Sequence, residues 1–310
     1  MYSKYTYSAG ATAVNILADL VAILTGETNV ANLSASCDKL NTSILSTIAA
    51  GWVLHDATAG TNAKCIKAPL ADDPNAYKFV VLDLNTAGFI LQKTYEAWDA
   101  TAHTGTNLCN LSATTTAAQQ FSTSVTGTVH IFATARFVLI FSTVSAAWGS
   151  SSNAGASGCV ERTRVCPWDT PVAGWPPFAY TNLGDMATNS GGTYPPRILT
   201  KVGTTLLTTQ TLMTANAGTQ GAVHTMMSTF ASIDQKVPDG SGGSVIPFFP
   251  IAWMNTGNMP APYGEISSLC GIFALPANIA TNLDVIVKDG LDFICLQAAG
   301  STKMFAVRKG

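Results

Sequence analysis

The 310-residue chain has little charge: Asp, Glu, Lys and Arg make up 11% of it, against about 25% in an ordinary soluble domain. Its 16 basic and 18 acidic residues leave a formal net charge of -2 and no basic surface for a phosphate backbone. We therefore predict that nucleic acid is not a direct partner. A surface this poor in charge favours an assembly subunit, covered by copies of itself or by other proteins.

Long apolar runs are missing too, although 47% of the residues are hydrophobic and the mean hydropathy is +0.25. No stretch reaches the roughly 18 to 20 uninterrupted apolar residues of a membrane-spanning helix, so we predict none. The first residues lack the charged start, apolar core and cleavage site of a secretory signal. This predicts synthesis in a cytoplasm.

Signatures of catalysis are absent as well. The sequence has no GxSxG, no Walker-type Gly-Lys-Ser/Thr and no dinucleotide GxGxxG between strand and helix. Its carboxylates do not follow the alternating pattern of a calcium loop. We predict no enzyme, no cofactor and no metal site. The enzymatic alternative, a cell-wall or glycan hydrolase, would depend on Glu96 or Asp99.

Only four histidines are present, which leaves few places for an imidazole-based site. His55, near a turn, and His130, between apolar neighbours on a strand, are predicted to be structural. His103 lies in a polar loop after a predicted strand, where Asp99 could cap the backbone or coordinate a ligand. That loop is the histidine-containing candidate for a functional site.

Seven cysteines are an odd number, and none forms a CxxC pair or has a histidine at zinc-binding spacing. Buried, reduced thiols are therefore the general prediction. The exception is a possible disulfide between Cys159 and Cys166, which close a short loop containing two arginines. Such a bond could form after release from the cell.

Residues 1–50 are predicted to form an N-terminal helical hairpin. Apolar residues recur three or four positions apart over 11–24 and again over 32–50. Gly26 and Gly51 follow the two segments, where helices would end. The hairpin could pack on its own core or dock on a neighbouring subunit.

After residue 50 the sequence predicts a mainly β chain of the α+β class. Short runs of Val, Ile, Phe, Tyr and Thr alternate with turn residues over 51–147 and 198–310, which favours two β-sandwich-like antiparallel sheet regions. Residues 148–197 are predicted to be an irregular Gly/Pro/Trp-rich connection. The candidate strands are 51–55, 65–68, 77–85, 89–95, 128–133, 137–143, 202–209, 222–230, 244–254, 266–275, 283–288, 292–297 and 304–307.

The connecting segment contains five aromatic residues that could serve an intersubunit interface, local packing or a sugar-binding face. Interface anchors fit the low charge best. These residues are Trp148, Trp168, Trp175, Phe178 and Tyr180.

Six segments resemble structural proteins of tailed bacteriophages: YTYS at 5–8, AILTG at 22–26, LSASCDK at 33–39, AGWVLHD at 50–56, YEAWD at 95–99 and CPWDT at 166–170. The resemblance implies a non-enzymatic virion component of the tail, baseplate or neck, present as a symmetric homo-oligomer with other virion proteins as partners. It carries no catalytic residue over. The alternative is a receptor- or glycan-binding virion protein, such as a tail fibre or head decoration.

Overall fold

The structure, a computed structural model, describes residues 2–27, 29–34, 37–40, 51–69, 79–86, 89–108, 119–120, 126–133, 138–144, 197–202, 205–213, 237–238, 244–245, 249–250, 252–254, 262–265, 272–275, 280–281, 283–297 and 304–309. These ranges contain the helix α1 (Ala13–Leu24) and 21 strands. The strands are β1 (Tyr2–Tyr7), β2 (Cys37–Leu40), β3 (Val53–Gly60), β4 (Ala63–Lys67), β5 (Phe79–Thr86), β6 (Phe89–Asp99), β7 (Thr104–Leu108), β8 (Gln119–Gln120), β9 (Gly127–Ala133), β10 (Val138–Val144), β11 (Arg197–Val202), β12 (Thr205–Met213), β13 (Val237–Pro238), β14 (Ser244–Val245), β15 (Phe249–Pro250), β16 (Ala252–Met254), β17 (Pro262–Glu265), β18 (Ile272–Leu275), β19 (Val285–Lys288), β20 (Leu291–Gln297) and β21 (Met304–Arg308).

The mainly β prediction is confirmed, since every described sheet is built from antiparallel pairs. Several predicted strands coincide with observed ones to within a few residues, as at β4, β5, β9, β10 and β20. The single strand predicted at 244–254 is wrong, since β14, β15 and β16 within it belong to three different sheets, and the prediction 202–209 joins the end of β11 to β12. The candidate strand at 222–230 lies outside the described residues. Nothing in the described part of the chain is a helix long and apolar enough to cross a bilayer.

The first predicted helix is confirmed as α1. Its N-terminus is capped by Thr12, whose side chain accepts a hydrogen bond from the Asn15 N–H at 3.1 Å. At the other end the chain turns at Gly26, which has a φ of +110° that suits a residue without Cβ. Most of the apolar residues of the helix are buried, and Ile16 and Leu20 are fully so, whereas Val14 in its first turn is half exposed.

The second predicted helix is wrong where the structure describes it. Residues Val30–Asn32 form a 3-10 turn, and Cys37–Leu40 is the strand β2, which pairs with β1. Ser, Thr, Asn and Cys are weak helix formers, whereas the edge of β1 offers backbone hydrogen-bonding groups. The segment therefore pairs with β1 as a strand and does not form a helix. The rest of that prediction, 41–50, lies outside the described residues.

The main core lies where α1 packs against two sheets. One sheet has the strand order β10-β9-β1-β2, and the other has the order β3-β4-β5-β6-β7 with β8 added beside β6. Side chains from both sheets meet the helix. The largest fully buried side chains of this core are Trp52, Tyr5, Tyr7, Ile16 and Leu17.

A buried carboxylate joins α1 to its neighbours. Asp19 is 2% exposed and accepts hydrogen bonds from the Tyr5 hydroxyl at 2.6 Å, the Ser34 N–H at 2.7 Å and the Ser34 hydroxyl at 2.6 Å. Tyr5 belongs to β1, and Ser34 follows the 3-10 turn. By accepting hydrogen bonds from both neighbours, Asp19 ties the helix to β1 and to the segment after the 3-10 turn.

The C-terminal part contains a five-stranded sheet of order β15-β18-β21-β20-β19. One face buries Leu275, Phe293, Cys295 and Ala306. The last strand, β21, lies between β18 and β20 and coincides with the strand predicted at 304–307. Strand β19 is at one end of this order, next to the hairpin turn that it shares with β20.

Candidate functional site

The aromatic residues singled out in the connecting segment cannot be placed. Trp148, Trp168, Trp175, Phe178 and Tyr180 lie outside the described residues. The same holds for Cys159 and Cys166. Their roles as interface, ligand or disulfide residues stay predictions.

The described residues instead contain a polar cluster centred on Asp56 of β3. This carboxylate is 4% exposed, and its Oδ2 atom lies 2.8 Å from His103 Nδ1 and 2.9 Å from Trp98 Nε1. Its Oδ1 atom accepts hydrogen bonds from the Thr58 N–H at 2.8 Å and the Thr58 hydroxyl at 3.1 Å. Both carboxylate oxygens are therefore fully engaged.

The cluster exists because the sheet curls. In the ladder, Asp56 is opposite Cys65, Cys65 is opposite Val81, and Val81 is opposite Lys93. Three strand spacings on a flat sheet would put Asp56 about 14 Å from β6, and Trp98 is farther still along that strand. The observed contact between Asp56 and Trp98 means that the end of β6 folds back over β3.

The hydrogen bonds set the ionisation state of Asp56. Burial alone would raise the pKa of the carboxyl, but the donors from His103, Trp98 and Thr58 together outweigh it and hold the pKa well below its usual range. Asp56 is thus a carboxylate at neutral pH. On the neighbouring strand, burial and the nearby Asp56 charge raise the pKa of the Cys65 thiol, which stays protonated.

His103 sits on the turn between β6 and β7. Its φ of +54° is in the left-handed region, which a side-chain-bearing residue adopts at a cost of about 1 kcal/mol or more. Asp99 accepts hydrogen bonds from the Thr101 N–H at 2.8 Å and the Ala102 N–H at 3.0 Å. It therefore caps the backbone of the turn, which is one of the two roles predicted for it. The partner of His103 is Asp56 and not Asp99.

Chemically, the cluster presents an oriented imidazole. Asp56 engages the Nδ1 side of the ring, while 42% of the His103 side chain remains exposed. A carboxylate holding an imidazole in this manner fixes its tautomer, a feature of acid–base and metal sites as well as of structural pins. The described residues contain no group of three or more His, Cys, Asp or Glu that could hold a metal ion.

We expect Asp56→Ala to lower the free energy of unfolding by about 3 kcal/mol. The change leaves the donors of Trp98 and Thr58 without their buried acceptor and releases the His103 turn. Urea unfolding at pH 7 measures the effect. The matched control is Asp99→Ala, which removes an exposed turn cap. Equal losses from the two variants would contradict the pinning role.

The other two histidines have structural surroundings. His55 on β3 packs against Phe79, with ring centroids 4.8 Å apart. His130 on β9 is buried and shares a 2.9 Å hydrogen bond with the Tyr2 hydroxyl. The prediction of a hydrogen-bonded strand histidine is therefore confirmed for His130.

A second candidate is an apolar sheet edge, which the sequence reasoning did not find. On β19, Val285 is 49% and Val287 66% exposed, and both side chains are on one face of the strand. Toward the sheet interior, the same face continues into the buried residues Ile294 and Val307. Exposed branched residues beside a sheet edge are typical of protein contact surfaces.

Comparison with protein-family models and with curated proteins finds no match to the chain. The resemblance to phage structural proteins therefore depends on the sequence segments alone.

Proposed function

We propose that the chain is a non-enzymatic structural subunit of a tailed-bacteriophage particle, assembled as a symmetric homo-oligomer in the tail, baseplate or neck. Its site of action is the virion, after synthesis in the host cytoplasm. Its partners are copies of itself and other virion proteins. The β-sandwich-like arrangement of the two β regions belongs to the same proposal.

The observation that carries the proposal is apolar exposure at two sheet edges of a chain with few charges. Val53 and Leu54 are 52% and 47% exposed on β3, and Val285 and Val287 are exposed on β19. Both strands stand at the end of a described sheet order. Free monomers usually protect such edges with charges or coverings, whereas subunits cover them on assembly.

The test is the copy number of the chain in the finished particle. Particles of the phage that encodes it are purified on a density gradient, and the chain is quantified by mass spectrometry against the major capsid protein. We expect several copies per particle that resist washing in high salt. A phage-encoded enzyme of replication is the control for carry-over. Recovery of the chain only in the free fraction, together with that control, would overturn the proposal.

A further inference from the structure

The edge strand β19 has backbone groups that point away from its sheet. A two-residue turn, Asp289 and Gly290, joins the opposed residues Lys288 and Leu291. In such a hairpin, backbone groups alternate between facing the partner strand and facing outward. The Cys295 N–H of β20 donates to the Asp284 carbonyl at 2.8 Å. By this alternation, the even-numbered residues of β19 direct their N–H and C=O groups toward β20.

Val285 and Val287 are consequently the residues whose N–H and C=O groups face outward. Among the described strands, none lies beyond β19 in the sheet to take these groups. A further antiparallel strand would have to place its own outward-facing residues opposite these two valines. Registers that pair an odd-numbered residue with an even-numbered one do not meet this condition.

The sequence of β19 is complementary to itself in one such register. When two copies run antiparallel about a two-fold axis at Ile286, Val285 of each copy is opposite Val287 of the other. Asp284 of each copy is then opposite Lys288 of the other, which gives two valine pairs and an opposite-charge pair at each end. In the structure Asp284 is exposed and the Lys288 side chain is 42% exposed.

The neighbouring registers lose this match. An axis at Val287 puts Val285 opposite Asp289, and an axis at Val285 puts Asp284 opposite Ile286. The other apolar edge, β3, is also a poorer template, because its pairing with β4 shifts on both sides of Asp56. Such irregularities bend an edge away from further pairing, whereas the β19–β20 ladder is continuous from Val285 to Lys288.

We propose that β19 pairs with β19 of a second copy of this chain, antiparallel and centred on Ile286, so that two five-stranded sheets join into one. The inference rests on the proposed homo-oligomer and names the surface that builds it. The contact is isologous, so it closes a dimer by itself and leaves other surfaces for larger rings. Five residues a side form a small contact, and we expect it to be concentration-dependent.

A charge swap tests the register on the full chain. Lys288→Glu puts like charges opposite Asp284 at both ends, and Asp284→Lys does the same with Lys288. Each single variant should weaken dimer formation about tenfold in sedimentation velocity, and the double variant Asp284→Lys/Lys288→Glu should restore it. Asp284 also accepts from the Thr281 N–H at 2.7 Å, and Lys288 forms an ion pair with Asp289. Recovery in the double variant therefore separates loss of the intersubunit contact from loss of these local interactions.

Cysteine cross-linking tests the same register without charge. We expect a mixture of Val285→Cys and Val287→Cys chains to form an oxidised dimer, because opposed residues in this register lie at disulfide distance. Either variant alone should cross-link no more than the unmodified chain, which sets the background from native thiols. Self-cross-linking by Val285→Cys or Val287→Cys would overturn the register.

The outcomes separate this inference from the proposed function. An oligomer that all three charge variants leave unchanged would overturn β19 pairing and leave the homo-oligomer standing on another surface. A monomeric unmodified chain over the concentration range would overturn both. Weakening by each single variant, recovery in the double variant and cross-linking only in the mixture would establish β19 as the contact.

Discussion

Replacing Gly127 by Ala is expected to lower the free energy of unfolding by about 3 kcal/mol. Gly127 is opposite Tyr7 in the β1–β9 ladder, and the Tyr7 side chain is fully buried over it. A Cβ at Gly127 would lie 2.7 Å or closer to three atoms of that side chain. Because β1 is between β9 and β2, Tyr7 cannot move without disturbing the main core.

Urea unfolding of four variants, Gly127→Ala, Gly60→Ala, Tyr7→Leu and the double variant Tyr7→Leu/Gly127→Ala, measures this clash. Gly60→Ala is the control, since a Cβ there meets the Ala63 Cβ at 3.1 Å and the contact is with one methyl group. In a Tyr7→Leu background, Gly127→Ala should lower the free energy of unfolding much less than in the unmodified chain. We expect a coupling free energy of about 1 kcal/mol or more between the two positions. Additive losses would show that the ring is not the obstacle.

Stability is expected to fall by about 2.5 kcal/mol between pH 7 and pH 4.5 because of His130 alone. Burial, assisted by the Lys4 charge, lowers the pKa of His130 from 6.5 to about 4. Below pH 6.5 the unfolded chain therefore takes up a proton that the folded chain does not. The contribution of neutral His130 is present above pH 6.5 and is lost as the pH falls toward 4.

The measurement is the free energy of unfolding in urea at half-unit steps from pH 7.5 to pH 4.5. His130→Gln keeps a hydrogen-bonding side chain beside Tyr2 but removes the titration, so its stability should change little across this window. At neutral pH the variant should be less stable than the unmodified chain, and the two curves should converge on acidification. Parallel curves would contradict the assignment of the slope to His130.

Local patterns predicted much of the fold. The apolar spacing and flanking Gly26 of α1 are local features, and so are the short apolar runs that predicted strands at 283–288 and 292–297, so the sequence indicated both. Strand β2 shows the limit. A three- to four-residue apolar spacing in a Ser/Thr-rich segment predicted a helix, but the outcome depended on β1 offering a free edge.

Neither the polar cluster nor the apolar edge could be predicted from the sequence, because both depend on how the strands are arranged in their sheets. Asp56 and Trp98 are 42 positions apart and meet because the sheet curls, a property of the four strands β3 to β6 together. The segment containing Val285 and Val287 reads like any buried strand, and its exposure follows from its position at the end of the sheet order. The aromatic segment, with Trp168 and Trp175, stays a prediction.

Sedimentation velocity of the unmodified full-length chain from low micromolar to about 100 µM tests the central claim most directly, because dimers with dissociation constants in this range change population across it. The account predicts a sedimentation coefficient that rises with concentration to the value of a closed oligomer. A single species with the mass of one 32.3 kDa chain at every concentration would contradict it.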